Sequence, residues 1–198
     1  MDFAGHRGVT KHDGSTGDSW FSYTCAHCGA RVSGVVAATY HVEPTVAPVK
    51  WLRCPSCANG SVLALDENVY PGVPFGPDVE GLPNEVQEAY KEARRCMSVN
   101  ALTSCESMCR KILMHVAVEK GAKEGKPFTD YLSHLETQGY ITPPMKGWVD
   151  LIRQHGNKAA HRLDPPARNR AKSTLMFTAE LLRLVYEMEY MAKRYAPT

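Results

Sequence analysis

The fold class expected for this sequence is mainly α: a C-terminal helical bundle preceded by a small N-terminal β module built around cysteine pairs. Three observations lead there. Cys25 and Cys28 in "CAHC", and Cys54 and Cys57 in "CPSC", lie among short runs of β-formers. The stretch "ENVYPGVPFGPDVEGLP" that follows is punctuated by Pro and Gly and keeps neither a strand nor a helix period. Beyond Pro83, apolar residues recur at i, i+3, i+4 and i+7, the mark of amphipathic helices.

Residues 1–18 are rich in Gly, Ser, Thr and Asp, carry little to bury, and are expected to form a flexible tail. Residues 19–66 hold the stretches "WFSYT", "RVSGVVAATYHV", "VKWLRC" and "SVLALD", which read as strands of one small module. Residues 67–82 are expected to be a linker. From 83 to 198 the pattern is helical. Val86, Ala89, Tyr90, Ala93 and Met97 mark a first helix, and Leu102, Cys105, Met108, Cys109, Ile112, Leu113 and Val116 a second, with a turn near Asn100. A short helix enters through Pro127, buries Phe128, Tyr131, Leu132 and Leu135, and closes at Gly139. Pro143 and Pro144 open a fourth helix with Met145, Trp148, Val149 and Ile152 on one stripe. The last helix runs from about 166 to 193 and presents Leu175, Ala179, Leu182, Val185 and Tyr186 to the core.

Two C-x2-C pairs at this separation can set four thiolates at the corners of a tetrahedron, each pair held by a tight turn between strands. Gly29 and Pro55 supply the turn chemistry. Cys25, Cys28, Cys54 and Cys57 are therefore expected to hold a structural zinc ion, with no coordination position left for a catalytic water. His27 and His41 are surplus to that set and are expected on the surface. Lys50, Arg53 and Arg31 with Trp20, Phe21 and Trp51 form a candidate nucleic-acid surface, although the aromatics are first expected to form the module's core and its contact with the helical bundle.

The net charge of +2 is too small to identify a nucleic-acid binder from totals. No apolar run approaches a membrane span, and the N-terminus lacks the apolar segment of a secretory signal. A cytoplasmic location with reduced cysteines is expected, Cys96 and Cys105 being inert core residues.

One local feature stands out. In "IRQHGNKAAHRL", residues 152–163, Arg153, Asn157 and His161 fall at i, i+4 and i+8 of a helix, beside the small residues Gly156, Ala159 and Ala160. Between 153 and 172, Arg153, Lys158, Arg162, Arg168, Arg170 and Lys172 are offset by Asp164 alone. A phosphate-bearing partner would be drawn to such a stretch. The polar stripe is equally suited to a structural network with a carboxylate such as Glu92 or Glu106.

Residues 82–190 resemble an uncharacterised domain found alone, behind zinc ribbons and attached to type I restriction subunits, usually placed in the HEPN superfamily. Glu92-Ala93, Arg110, Gly156-Asn157 and Ala160-His161 carry the resemblance. It implies a HEPN-like helical bundle, often a homodimer, and in the superfamily's active members a metal-independent ribonuclease. Carried onto this chain, His161 would be the acid-base group, Arg153 the phosphate clamp and Asn157 an orienting group. The Arg–His spacing here is wider than in those enzymes.

Three functional readings follow. The preferred one is a nucleic-acid-associated binding or regulatory module in bacterial or phage defence, with RNA, DNA or a nucleotide as partner. Its contacts would be the ribbon together with Lys158, Arg162, Arg168, Arg170 and Lys172. The second is a metal-independent ribonuclease using Arg153, Asn157 and His161. The third is a protein-interaction adaptor whose polar stripe is structural.

Overall fold

Ten residues of mostly β-forming character, Arg31–Tyr40, make the longest strand, and the N-terminal sheet is assembled on it. The computed structural model describes residues 9–13, 15–43, 45–159 and 166–196, and for Val9 and residues 154–159 the backbone alone. The chain divides into two compact units, Met1–Pro74 and Phe75–Thr198.

Among the described residues the first unit is a six-stranded antiparallel sheet: β1 Val9–Lys11, β2 Trp20–Thr24, β3 Arg31–Tyr40, β4 Val49–Arg53, β5 Gly60–Leu63 and β6 Val69–Tyr70. β4, β5 and β6 follow one another across one edge of β3. β1 and β2 share the other edge, β2 against Arg31–Val35 and β1 against Ala38–Tyr40. A register shift between Val36 and Ala38 absorbs one residue, so alternation holds on both sides of it. Tyr23, Val36 and Leu52 point inward with Cys25 and Cys54, and among the described residues these five are the buried apolar core of the unit.

Two expectations change here. Val9–Lys11 is not part of a loose tail but an edge strand, continued by a His12 N–H to Ala37 carbonyl bond of 3.2 Å. Backbone pairing along an otherwise bare strand edge orders it without apolar burial. Residues 1–8 lie outside the described residues. The expected linker, 67–82, is divided between the units. Val69 and Tyr70 pair with β5, while residues 75–82 are strapped to the helices. Arg94 donates to the carbonyls of Phe75 (3.1 Å) and Gly76 (2.9 Å) and to the Asp78 carboxylate, and the Tyr90 hydroxyl donates to the Pro77 carbonyl at 2.8 Å. Val79 is buried among the helices.

Gly34 has a steric role. The Tyr23 ring lies across it from β2, so a Cβ there would meet ring carbons below contact distance. Gly34→Ala is expected to destabilise the sheet by about 1–3 kcal/mol, as overpacking does. Denaturant melts followed by Trp20 and Trp51 emission would show it.

The second unit contains α1 Asn84–Ser98, α2 Leu102–Glu119, α3 Phe128–Thr137, α4 Lys146–Ala159, α5 Arg168–Leu182 and α6 Met188–Tyr195. A 3-10 turn, Pro143–Met145, leads into α4, and a π-helical turn, Arg183–Glu187, joins α5 to α6 as one long helix. α2 packs against α1, α3 and α5, with Cys105, Cys109, Leu113, Val116 and Ala117 fully buried. Asn100 takes a positive φ of 62° to close the α1–α2 turn, a conformation Asn tolerates better than most residues. Trp148 of α4 donates to Ser173 Oγ of α5 at 2.6 Å and meets Phe177 edge-on at 5.7 Å. Cys96, Cys105 and Cys109 belong to the core or its margin, as their spacing predicts. Among the described residues no helix is long and apolar enough to cross a membrane.

Candidate metal centre and basic surfaces

The two cysteine turns repeat one construction. In the β2–β3 turn, Cys25 N–H donates to the Ala30 carbonyl (2.9 Å) and Gly29 N–H to the Cys25 carbonyl (2.8 Å). In the β4–β5 turn, Cys54 N–H donates to Asn59 (3.0 Å) and Ala58 N–H to Cys54 (2.9 Å). Each turn passes through the left-handed region just after its second cysteine, at Gly29 (φ 73°) and Ala58 (φ 61°). Glycine suits that conformation, and alanine at the second turn bears a cost of roughly 1 kcal/mol that closure of the turn must offset.

These turns bring all four sulfurs within 4.8 Å of one another. Cys25 Sγ is 3.7 Å from Cys57 Sγ, and Cys28 Sγ is 3.9 Å from Cys54 Sγ. A disulfide would need about 2.05 Å. A tetrahedral ion with metal–sulfur bonds of about 2.3 Å separates its ligands by about 3.8 Å. The donor set therefore fits a metal ion, as the sequence spacing predicts, and four thiolates close its coordination.

Burial pushes the Cys25 thiol up to about 11, while the Asn59 N–H and the Asn59 amide draw Cys57 down to about 6. The Asn59 amide lies 3.5 Å from Cys57 Sγ. Asn59 is thus part of the centre although it is not a ligand. Its position two residues beyond the last cysteine was the only sequence signal for it. His27 donates from Nε2 to the Gly60 carbonyl at 3.2 Å, tying the first turn to β5.

None of the six strands contains an Asp or Glu, whereas Lys11, Arg31, Lys50 and Arg53 lie on them. Alternation sorts these residues by face. On the outer face, Trp20, Val35 and Arg53 form one row across β2, β3 and β4, and Lys11, Ala38 and Trp51 form another across β1, β3 and β4. Arg31 pairs with Thr24 at the cysteine end. Trp20 is 44% exposed, Arg31 and Arg53 are exposed, and Trp51 and Tyr40 are half-buried. The expectation that the aromatics form the core holds for Phe21, which packs on the inner core with the Lys50 ammonium 5.6 Å from its ring centre. Trp20 and Trp51 lie on the outer face, outside that inner core.

In the helical unit, Arg153 is held between helices. Its guanidinium donates to Asp150 Oδ1 (3.1 Å), to Glu136 Oε2 (3.0 Å) and to Ser133 Oγ (3.3 Å), while Lys146 takes the other Glu136 oxygen at 3.1 Å. The two cations hold the Glu136 carboxyl below the usual range, Arg153 contributing most. Asn157 and Lys158 lie in the last turn of α4, where only the backbone is described. His161 and Arg162 lie outside the described residues, so the Arg153, Asn157 and His161 stripe is represented here by its first member alone.

The remaining basic residues have partners of their own. Arg170 donates bidentately to Glu106 across α2 and α5, at 2.7 and 2.6 Å. Arg168 donates to Asn100 Oδ1 at 2.7 Å, and the Lys172 ammonium lies 5.2 Å from the Phe75 ring centre. The suggested carboxylate partner Glu106 is used, but by Arg170, and the carboxylates that hold Arg153 are Glu136 and Asp150.

No curated protein and no solved structure matches the chain. A family model described as a domain of unknown function (DUF4145) matches residues 91–197, from within α1 through α6. That match takes in more than half of the chain, including the glutamate clamps of Arg153 and Arg170, and on that ground the chain belongs to the DUF4145 family.

Proposed function

We propose that this protein is a nucleic-acid-binding module in which Cys25, Cys28, Cys54 and Cys57 hold a structural zinc ion and the outer face of the sheet receives a single strand. The observation that carries the reading is the pairing of exposed Trp20 with Arg53 across Val35, on strands free of carboxylates. Aromatic faces stack bases without regard to sequence, and interleaved cations follow the backbone. Zinc is the metal preferred by a closed four-thiolate set.

The helical unit is read as a HEPN-like bundle, on the resemblance of residues 82–190, and the defence setting rests on the same resemblance. Self-association is supported by Leu184, Met188, Met191 and Tyr195, which are exposed along the last helix. Lys158 and Arg162 are read from the sequence alone as a separate basic contact for a phosphate-bearing partner. The ribonuclease reading receives less support, because Arg153 is already committed to carboxylates that a phosphate would have to displace.

Fluorescence anisotropy with labelled single-stranded RNA and DNA tests the reading. Trp20→Ala is expected to weaken binding by roughly 1–3 kcal/mol, the worth of one stacked base. Arg53→Ala is expected to lower the slope of log K against log salt by about 0.7, one phosphate contact on a single strand. Unchanged affinity in both variants, with loss in Lys158→Ala, would move the interface to the helices. Absence of strand binding in the metal-loaded wild type would leave the adaptor reading.

A further inference from the structure

The inner face of the sheet is apolar only toward its cysteine end. Past the register shift, Thr10 of β1, Thr39 of β3 and Lys50 of β4 stand in one row across three strands. Residues two apart share a face, so His12 follows Thr10 and His41 follows Thr39 onto that face. Because β1 and β3 run in opposite directions, the two histidines are carried to opposite sides of the row. With Asp18 and Pro48 these residues line a cavity of about 320 Å³. Ligand sites begin at roughly 300 Å³.

The cavity has a built floor. Thr39 is only 5% exposed, and His12 Nε2 lies 2.8 Å from its Oγ1. Lys50 is half-buried and turned inward over the Phe21 ring. The same sheet face is filled by Val36 and Leu52 a few residues away. Of this row only Thr39 is buried, and it is bonded to His12, while Thr10 is exposed and Lys50 half-buried, so the polar row adds nothing to apolar packing and stays open to a ligand. What they share is hydrogen-bond donation: an ammonium, two imidazoles and two hydroxyls converge on one space. Asp18 is the sole carboxylate among the lining residues and is suited to accept from a sugar hydroxyl.

We propose that this cavity binds the phosphate of a nucleotide, with Lys50 as the charged contact, His41 and the Thr10 hydroxyl donating, and the Thr39 hydroxyl, left free to donate by accepting from His12 Nε2, completing the cradle. The phosphate can come from a free mononucleotide or from the phosphorylated end of a strand. The site lies on the face opposite Trp20 and Arg53, so it stands or falls separately from binding on the outer face.

NMR titration of the metal-loaded full chain tests the proposal with four probes: a 5′-mononucleotide, its nucleoside, and a short single strand with and without a 5′-phosphate. The mononucleotide is expected to bind at least about tenfold tighter than the nucleoside, moving the His12 and His41 ring signals and the Thr10 and Thr39 methyls. Lys50→Gln and His41→Ala are each expected to weaken it by about tenfold, and exposed His41 provides a variant that leaves the sheet core intact. A phosphorylated strand binding tighter than the mononucleotide identifies a strand end as the source, and the reverse order identifies a free nucleotide. Equal affinity for nucleoside and nucleotide, no binding of any phosphate-bearing probe, or unchanged binding in both variants would overturn the proposal.

Discussion

Chelation of the metal is expected to unfold the sheet unit while the helical unit stays folded. The cause is the size of the core: among the described residues, two of its five buried members, Cys25 and Cys54, belong to the proposed four-thiolate centre itself. Tyr23, Val36 and Leu52 together bury too little to offset the ordering entropy of six strands. The apparent free energy of binding a structural zinc ion, about 10–16 kcal/mol in small domains near neutral pH, then becomes folding free energy. Trp20 and Trp51 report on the sheet and Trp148 on the helices, so single-tryptophan variants follow each unit separately. Loss of the Trp20 and Trp51 signals on chelation, with helical circular dichroism and the Trp148 signal retained, is the expected result. Retention of the sheet signals after complete chelation would show that the cysteines are ordinary core residues.

Glu106→Ala is expected to cost the helical unit about 1.5–3 kcal/mol, the worth of a hydrogen bond to a charged group. Glu106 is 12% exposed and Arg170 is 24% exposed, so the pair is half-buried and water screens it only in part. Arg110 stands close by, over the Phe128 ring at 4.4 Å, with the Glu106 charge favouring its cation and the Arg170 charge opposing it. Without the carboxylate, two guanidinium groups would face each other at the α2–α5 junction. The loss should appear as a fall in thermal midpoint of roughly 5 °C, since about 1 kcal/mol moves a chain of this size by 2–4 °C. The double change Glu106→Leu with Arg170→Met should recover much of it, because the charges are removed together. A single variant as stable as the wild type would mean that the pair is solvated and carries little stability.

What could be read beforehand follows the range of the interactions. The cysteine turns and the apolar stripes of the helices are local patterns, legible because four sulfurs or one helix face recur at fixed spacing. Val9–Lys11 was illegible because its order comes from an unpaired edge of β3 far along the chain. The strap at 75–82 was hidden in the same way, since Arg94 and Tyr90 supply the bonds its own residues cannot make. For Arg153 and Arg170 the sequence displays charge but not its commitment. Asp150 is a local i, i+3 partner of Arg153 on α4, but Glu136 and Glu106 arrive from α3 and α2, and no local rule selects them over the other acids. The outer face of the sheet was half legible: alternation separates Trp20 from Phe21 and Arg53 from Lys50, but the meeting of Trp20 with Arg53 across Val35 depends on register.

Photocrosslinking of the metal-loaded protein to a single strand carrying photoreactive bases, followed by mapping of the adducts, tests most directly whether the sheet is the contact surface. Adducts at Trp20, Trp51 or Tyr40, suppressed in Trp20→Ala, are the predicted result. Adducts confined to the α4–α5 region, or none above a bovine albumin control, would contradict it.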